Sequence, residues 1–126
     1  MVLVDTSVWI RFLKGDEPYA TRMDEILGRD EVAGHEMVYG ELLIGDSGGR
    51  TKLLTSYRLM HHVPTVPHAE VVQFARDRRL LGKGIGWIDA HLLASAIVGS
   101  HELWTADVRF AEAAERLSVA YRQHDS

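Results

Sequence analysis

The chain contains no cysteine and only three prolines among 126 residues. The missing cysteine removes disulfide scaffolds, thiolate zinc sites and cysteine nucleophiles together, and it suits a reducing compartment. With so little proline, no biased tract and 25% charged residues, disordered and fibrous classes fit poorly. Long apolar runs are lacking too. No stretch approaches a membrane span, and Met1–Asp5 has no basic start and carries a carboxylate where a signal peptide needs apolar residues. A cytoplasmic protein without membrane association is therefore expected. Positive charge is also in deficit: a net charge of -4 argues against a broad basic surface of the kind that gives non-specific nucleic-acid affinity. A local patch remains compatible with that total, since Arg76, Arg78, Arg79 and Lys83 share one stretch. Taken alone, that stretch reads first as a solvated helix face.

What is present suits one compact domain, residues 1–126, because 46% hydrophobic residues supply a small but real core. The run 2–4 is short, apolar and β-branched, and Asp5-Thr6-Ser7 behind it offers capping oxygens, so a strand feeding a helix at residue 8 is predicted. Helical spacing follows at 19–29, and a short strand at 31–34. Further helices are expected at 36–45 and 50–60, then an extended segment at 61–66 and a helix from Pro67 to Leu80 or Leu81. The glycine loop 82–86 precedes an apolar helix at 88–98, a strand at 103–105, a helix at 107–117 and a last strand at 119–121. Short apolar strands alternating with helices predict an α/β fold, a short and mainly parallel sheet covered on both faces.

Four acids stand where local sequence favours something apolar or small. Asp5 ends Val2-Leu3-Val4, Glu41 lies within Met37–Ile44, Asp89 sits in Trp87-Ile88-Asp89-Ala90, and Asp107 closes Leu103–Ala106. Asp5 and Asp107 directly follow predicted strands, the end at which open α/β sheets bind ligands. Glu41 shares a predicted helix face with Met37, Val38 and Ile44, where a lone charge costs several kcal/mol unless protonated, paired or bound to a cation. Each has a plainer alternative. Asp5, Asp89 and Asp107 also fit as helix caps, and Glu41 is simply exposed if the helix phase shifts by one. Together, oxygen ligands of this type suit Mg²⁺ or Mn²⁺, and the chemistry that needs such ions is phosphodiester cleavage, because the cation activates water and offsets charge on phosphate oxygens.

At these residues the chain resembles the PIN-domain ribonucleases, in particular the VapC toxins of bacterial and archaeal toxin–antitoxin pairs. Val2–Ile10 resembles the opening motif, Glu41–Gly45 the conserved-acid helix, Gly86–Ala94 the central motif and Leu103–Phe110 the closing motif. The resemblance implies a three-layer α/β/α PIN-like domain in which Asp5, Glu41, Asp89 and Asp107 bind Mg²⁺ or Mn²⁺ and activate water to hydrolyse RNA. It further implies that Thr6 or Ser7 and Thr105 orient a carboxylate or a water from behind. A homodimer and a VapB-like antitoxin that lays a basic side chain among the acids are implied as well. Arg11 departs from the family, many members of which carry an acid there, and Gly84-Ile85-Gly86 implies a more mobile loop before Asp89.

Other features carry less. Trp9, Tyr19, Met23 and Leu27 fit either a groove for a partner helix or, more simply, core. None of the seven histidines stands in a zinc-helix pattern; His91 reads as a polar residue of the central helix, with substrate contact as the lesser alternative. A PIN-like module that holds RNA or a partner without turnover is the main alternative function. A phosphohydrolase of similar build is another, although the lack of an acid at position 7 counts against a phospho-aspartate enzyme.

Overall fold

The structure, a computed structural model, describes residues 1–122. Three parallel strands form the sheet: β1 (Val2–Val4), β2 (Val32–Ala33) and β3 (Glu102–Trp104), in the order β2-β1-β3. Val2 pairs with Val32 and Glu102, and Val4 with Trp104. All three residues of β1 are buried, as a central strand covered by helices on both faces requires. Single parallel bridges, Gly34 to His62 and Leu103 to Ala120, extend the sheet at both edges. The predicted last strand is thus reduced to one bridge. The Leu103 amide donates to the Val119 carbonyl at 2.7 Å and the Tyr121 amide to the Leu103 carbonyl at 2.9 Å, with no further ladder.

Seven helices surround this sheet among the described residues: α1 (Thr6–Leu13), α2 (Tyr19–Gly28), α3 (Glu36–Ile44), α4 (Thr51–Leu59), α5 (His68–Asp77), α6 (Trp87–Gly99) and α7 (Val108–Arg116). None is long and apolar enough to cross a membrane. Helix α1 starts at Thr6, two residues earlier than expected, because Asp5 itself is the N-cap. Helix α5 ends at Asp77, short of the predicted Leu80. Arg79 turns into the left-handed region at φ 56°, and the Leu80 amide reaches back to the Ala75 carbonyl at 2.9 Å, a six-residue closure of the helix end. Such closures normally carry glycine, so an arginine there gives no local warning.

Helix α6 is buried at every position from Ala90 to Ala96, which makes it the central helix of the molecule. Trp9 of α1 is fully buried and edge-on to Phe12 and Tyr57 at 6.0 and 5.4 Å between ring centres. Burial of a side chain of this size contributes about 1.5–3 kcal/mol. Met23 is also fully buried, and Tyr19 and Leu27 pack against the same core, so these four residues form core rather than an open groove. In α3 the buried stripe is Val38 and Leu42, whereas Ile44 is 89% exposed. Glu41 therefore lies at the margin of the apolar stripe, half-buried, instead of within it.

Candidate active site

The carboxyl ends of β1 and β3 meet through the Asp5 amide, which donates to the Trp104 carbonyl at 2.8 Å. This contact sets Asp5 and the segment Thr105–Asp107 side by side. Asp5 is 6% exposed, and its Oδ2 accepts from the Ser7 hydroxyl at 2.6 Å, the Thr105 hydroxyl at 2.8 Å and, more weakly, the Ser7 amide at 3.4 Å. Each hydroxyl has one proton, and both protons point at Asp5. The Ser7 and Thr105 oxygens, 3.2 Å apart, therefore do not bond each other; they accept instead from the Ala106 amide at 3.0 Å and the Asp107 amide at 3.1 Å.

The other acids are held in the same manner. The Thr6 hydroxyl donates to Glu41 Oε1 at 2.6 Å, joining α3 to the residue next to Asp5. Asp89 Oδ2 accepts from the Gly86 amide at 3.0 Å, at the start of α6, and Asp107 Oδ1 caps α7 through the Phe110 amide at 3.0 Å. Every one of the four carboxylates is thus fixed through one oxygen. Among the described residues, the second oxygen of each has no hydrogen bond, and no lysine or arginine is ion-paired to any of the four. The capping and ligand readings of Asp5, Asp89 and Asp107 are therefore not exclusive, since capping occupies one oxygen and orients the other.

The other three charges act on Asp89. Burial lifts the Asp89 carboxyl to about 6, the Gly86 amide draws it back, and the fields of Asp5, Asp107 and Glu41 add to the rise. An uncompensated cluster of this kind suits a hard divalent cation, because all available donors are carboxylate oxygens. Among the described residues, however, no three His, Cys, Asp or Glu side chains stand close enough to hold one ion between them. The arrangement fits Mg²⁺ or Mn²⁺ kept partly hydrated by one or two carboxylates, the usual habit of Mg²⁺.

The sequence profile of the PIN domain matches residues 2–116. Over its whole length the chain is 40% identical to ribonuclease VapC32 from two strains of Mycobacterium tuberculosis, and each alignment covers 100% of both proteins. The chain belongs to the VapC branch of the PIN-domain family. Solved structures agree on the PIN fold. FitAcB from Neisseria gonorrhoeae aligns with a TM-score of 0.65 at 24% identity, over 95% of each chain. PAE2754 from Pyrobaculum aerophilum aligns with a TM-score of 0.58 at 18% identity, over 92% of this chain and 85% of its own.

Within this PIN domain, His91 is not drawn toward the acids. It lies two positions after Asp89, roughly 200° around the helix, buried and edge-on to Trp87 at 4.8 Å. His35, which has no zinc-helix partner in the sequence, is an organising residue behind α3. It is fully buried; its Nδ1 accepts from the Met37 amide at 3.0 Å, which caps α3, so the ring proton is on Nε2 and is donated to Ser95 Oγ at 3.0 Å. The Tyr57 hydroxyl accepts from the His35 amide at 2.8 Å. No signal near His35 marks it, because histidine is not among the common capping residues and Ser95 and Tyr57 lie far along the chain.

Proposed function

We propose that this protein is a metal-dependent endoribonuclease, the toxin of a VapBC-type toxin–antitoxin pair, which hydrolyses RNA phosphodiester bonds at Asp5, Glu41, Asp89 and Asp107. The observation that carries this reading is that four carboxylates on separate elements are each fixed by one oxygen and present the other without a partner among the described residues. Full-length likeness to a protein named as a ribonuclease supports the choice of RNA. Mg²⁺ or Mn²⁺, when bound, supplies a nucleophilic water near neutral pH and offsets charge on the phosphate. The chain's own part is to hold the ligands still. Ser7 and Thr105 fix the orientation of Asp5, Thr6 fixes Glu41, and the backbone caps fix Asp89 and Asp107. Glu41 and Asp89 come from helices α3 and α6, and Asp5 and Asp107 from the ends of β1 and β3.

The partners follow from the same charge. A VapB-like antitoxin that places an Arg or Lys among the four acids would satisfy their free oxygens and exclude a cation, and it would act in the cytoplasm on a homodimeric toxin. Purified protein is expected to cut RNA with Mg²⁺ or Mn²⁺ and to stop in EDTA. Equal cutting by Asp5→Asn would rule out the assigned centre. RNA binding without cleavage of any transcript, with both metals tried, would favour the non-catalytic module. Inducing the protein in cells without its antitoxin and mapping new RNA 5′ ends, beside the Asp5→Asn control, tests activity and target together.

A further inference from the structure

The basic side chains outside the acid crevice are unevenly spread. Lys83, Arg109 and Arg116 line one shallow depression of about 170 Å³, with Glu112 and Ala113 between them. Two of its residues stand close in the chain to two of the acids. Arg109 is two residues after Asp107, and its side chain lies across Gly84, two residues before the Gly86 amide that holds Asp89. Gly84 has φ 79°, and a Cβ added there would collide with the Arg109 guanidinium and lie 2.6 Å from its Cδ. Glycine at 84 therefore does two things: it permits the turn and makes room for the arginine.

The three cations are not equivalent. Arg116 donates to the Arg78 carbonyl at 3.0 Å and the Arg79 carbonyl at 3.5 Å, tying α7 to the end of α5. The side chains of Lys83 and Arg109 are exposed and make no hydrogen bond or ion pair among the described residues. Glu112 is the one acid among the residues lining the depression. A polyanion that brings one phosphate to four carboxylates on a chain of net charge -4 meets repulsion, which free cations next to the crevice offset locally.

We propose that Lys83 and Arg109 form a phosphate-binding step beside the acid crevice, gripping the backbone of single-stranded RNA on the α7 side of the scissile bond. The proposal rests on the ribonuclease reading above. Its grip is independent of base identity, because both cations would contact phosphate and neither a base edge. Arg116 is a positioning residue that keeps the end of α5 in place against α7. An acidic peptide is the competing ligand for such a patch.

Fluorescence anisotropy with a short oligo-uridine in EDTA, over a range of salt, tests the grip without cleavage. The Lys83→Ala/Arg109→Ala double variant is expected to bind roughly tenfold more weakly, and the slope of log affinity against log salt should fall by about 1.4, about 0.7 for each lost contact. Lys83→Arg should keep the wild-type slope. On an RNA that the protein cuts, KM should rise by a similar factor while kcat stays within about twofold. Unchanged affinity and slope in the double variant, or no wild-type binding to the oligonucleotide, would overturn the proposal. So would a loss confined to a poly-glutamate peptide with RNA binding intact, which would make the patch a protein-docking surface. If the wild type cuts RNA but the double variant binds it equally well, the phosphate step falls and the ribonuclease reading stands. If the wild type cuts no RNA with either metal, the ribonuclease reading itself falls.

Discussion

His35 and Asp89 are both withdrawn from water, and in both burial is the largest cause of a shift toward the neutral form: His35 down to about 4, with His91 and His62 adding to the fall, and Asp89 up to about 6. Their surroundings differ. Both ring nitrogens of His35 are used, one by the Met37 amide and one by Ser95, and the nearby Tyr57 hydroxyl takes the His35 amide. Asp89 has one oxygen on the Gly86 amide and three other carboxylates acting on it. His35 has its ring hydrogen-bonding capacity filled from within the fold, whereas Asp89 keeps one oxygen open among the described residues. The open capacity costs stability until something outside the chain fills it.

The largest expected effect is on catalysis. Asp5→Asn keeps an acceptor for Ser7 and Thr105, so the fold should persist by circular dichroism. RNA cleavage should nevertheless fall at least roughly 100-fold, beyond the ~10–100-fold expected of residues that only orient a ligand. On the His35 side the pattern should invert. His35→Ala removes the α3 cap and leaves Ser95 without its partner, which should cost about 2–3 kcal/mol in urea denaturation while cleavage per folded molecule holds.

Asp89 gives an intermediate effect of opposite sign. Its folded value of about 6 lies above the unfolded value of 3.8, so the folded chain binds more protons across that interval and stability falls as pH rises from about 4 to about 6. Asp89→Asn carries no such penalty, and in EDTA it should be more stable than wild type by about 1–2 kcal/mol at pH 8, with the gain vanishing toward pH 4. His35 runs the other way. Its lowered value makes stability fall as pH drops from about 6.5 toward 4, so the two groups push stability in opposite directions across the same interval. Tyr57→Phe, which removes only the hydroxyl facing the His35 backbone, should cost about 1 kcal/mol and leave both pH limbs in place. A stability gain confined to Asp89→Asn, seen by thermal melts across pH, would uphold the contrast. A loss there equal to that of His35→Ala would break it.

Much of the site was legible because its parts sit at places that leave a mark in one dimension. Asp5 and Asp107 follow apolar strands, Asp89 opens an apolar helix, and hydroxyl residues flank two of the acids. The elements were legible where hydrophobic period and capping agree, as in α1 and α7. Departures arose where a distant contact overrides local preference. Arg79 adopts a conformation that glycine would normally take, residues 119–121 find only one bridging partner, and Ile44 turns to solvent because Val38 and Leu42 fill the inner face of α3.

By itself the sequence determined the α/β class and the order of the four acids along the chain, since periodicity and capping are local properties. Only the tertiary structure decided which oxygen of each acid is tied and which is open. Only it brought His35, Tyr57 and Ser95 together behind α3, and laid Arg109 across Gly84 beside the acids. The reason is physical. A hydrogen bond between residues 60 or 100 positions apart, such as His35 to Ser95 or Thr105 to Asp5, has no local signature and exists only once the sheet has set its strands in register.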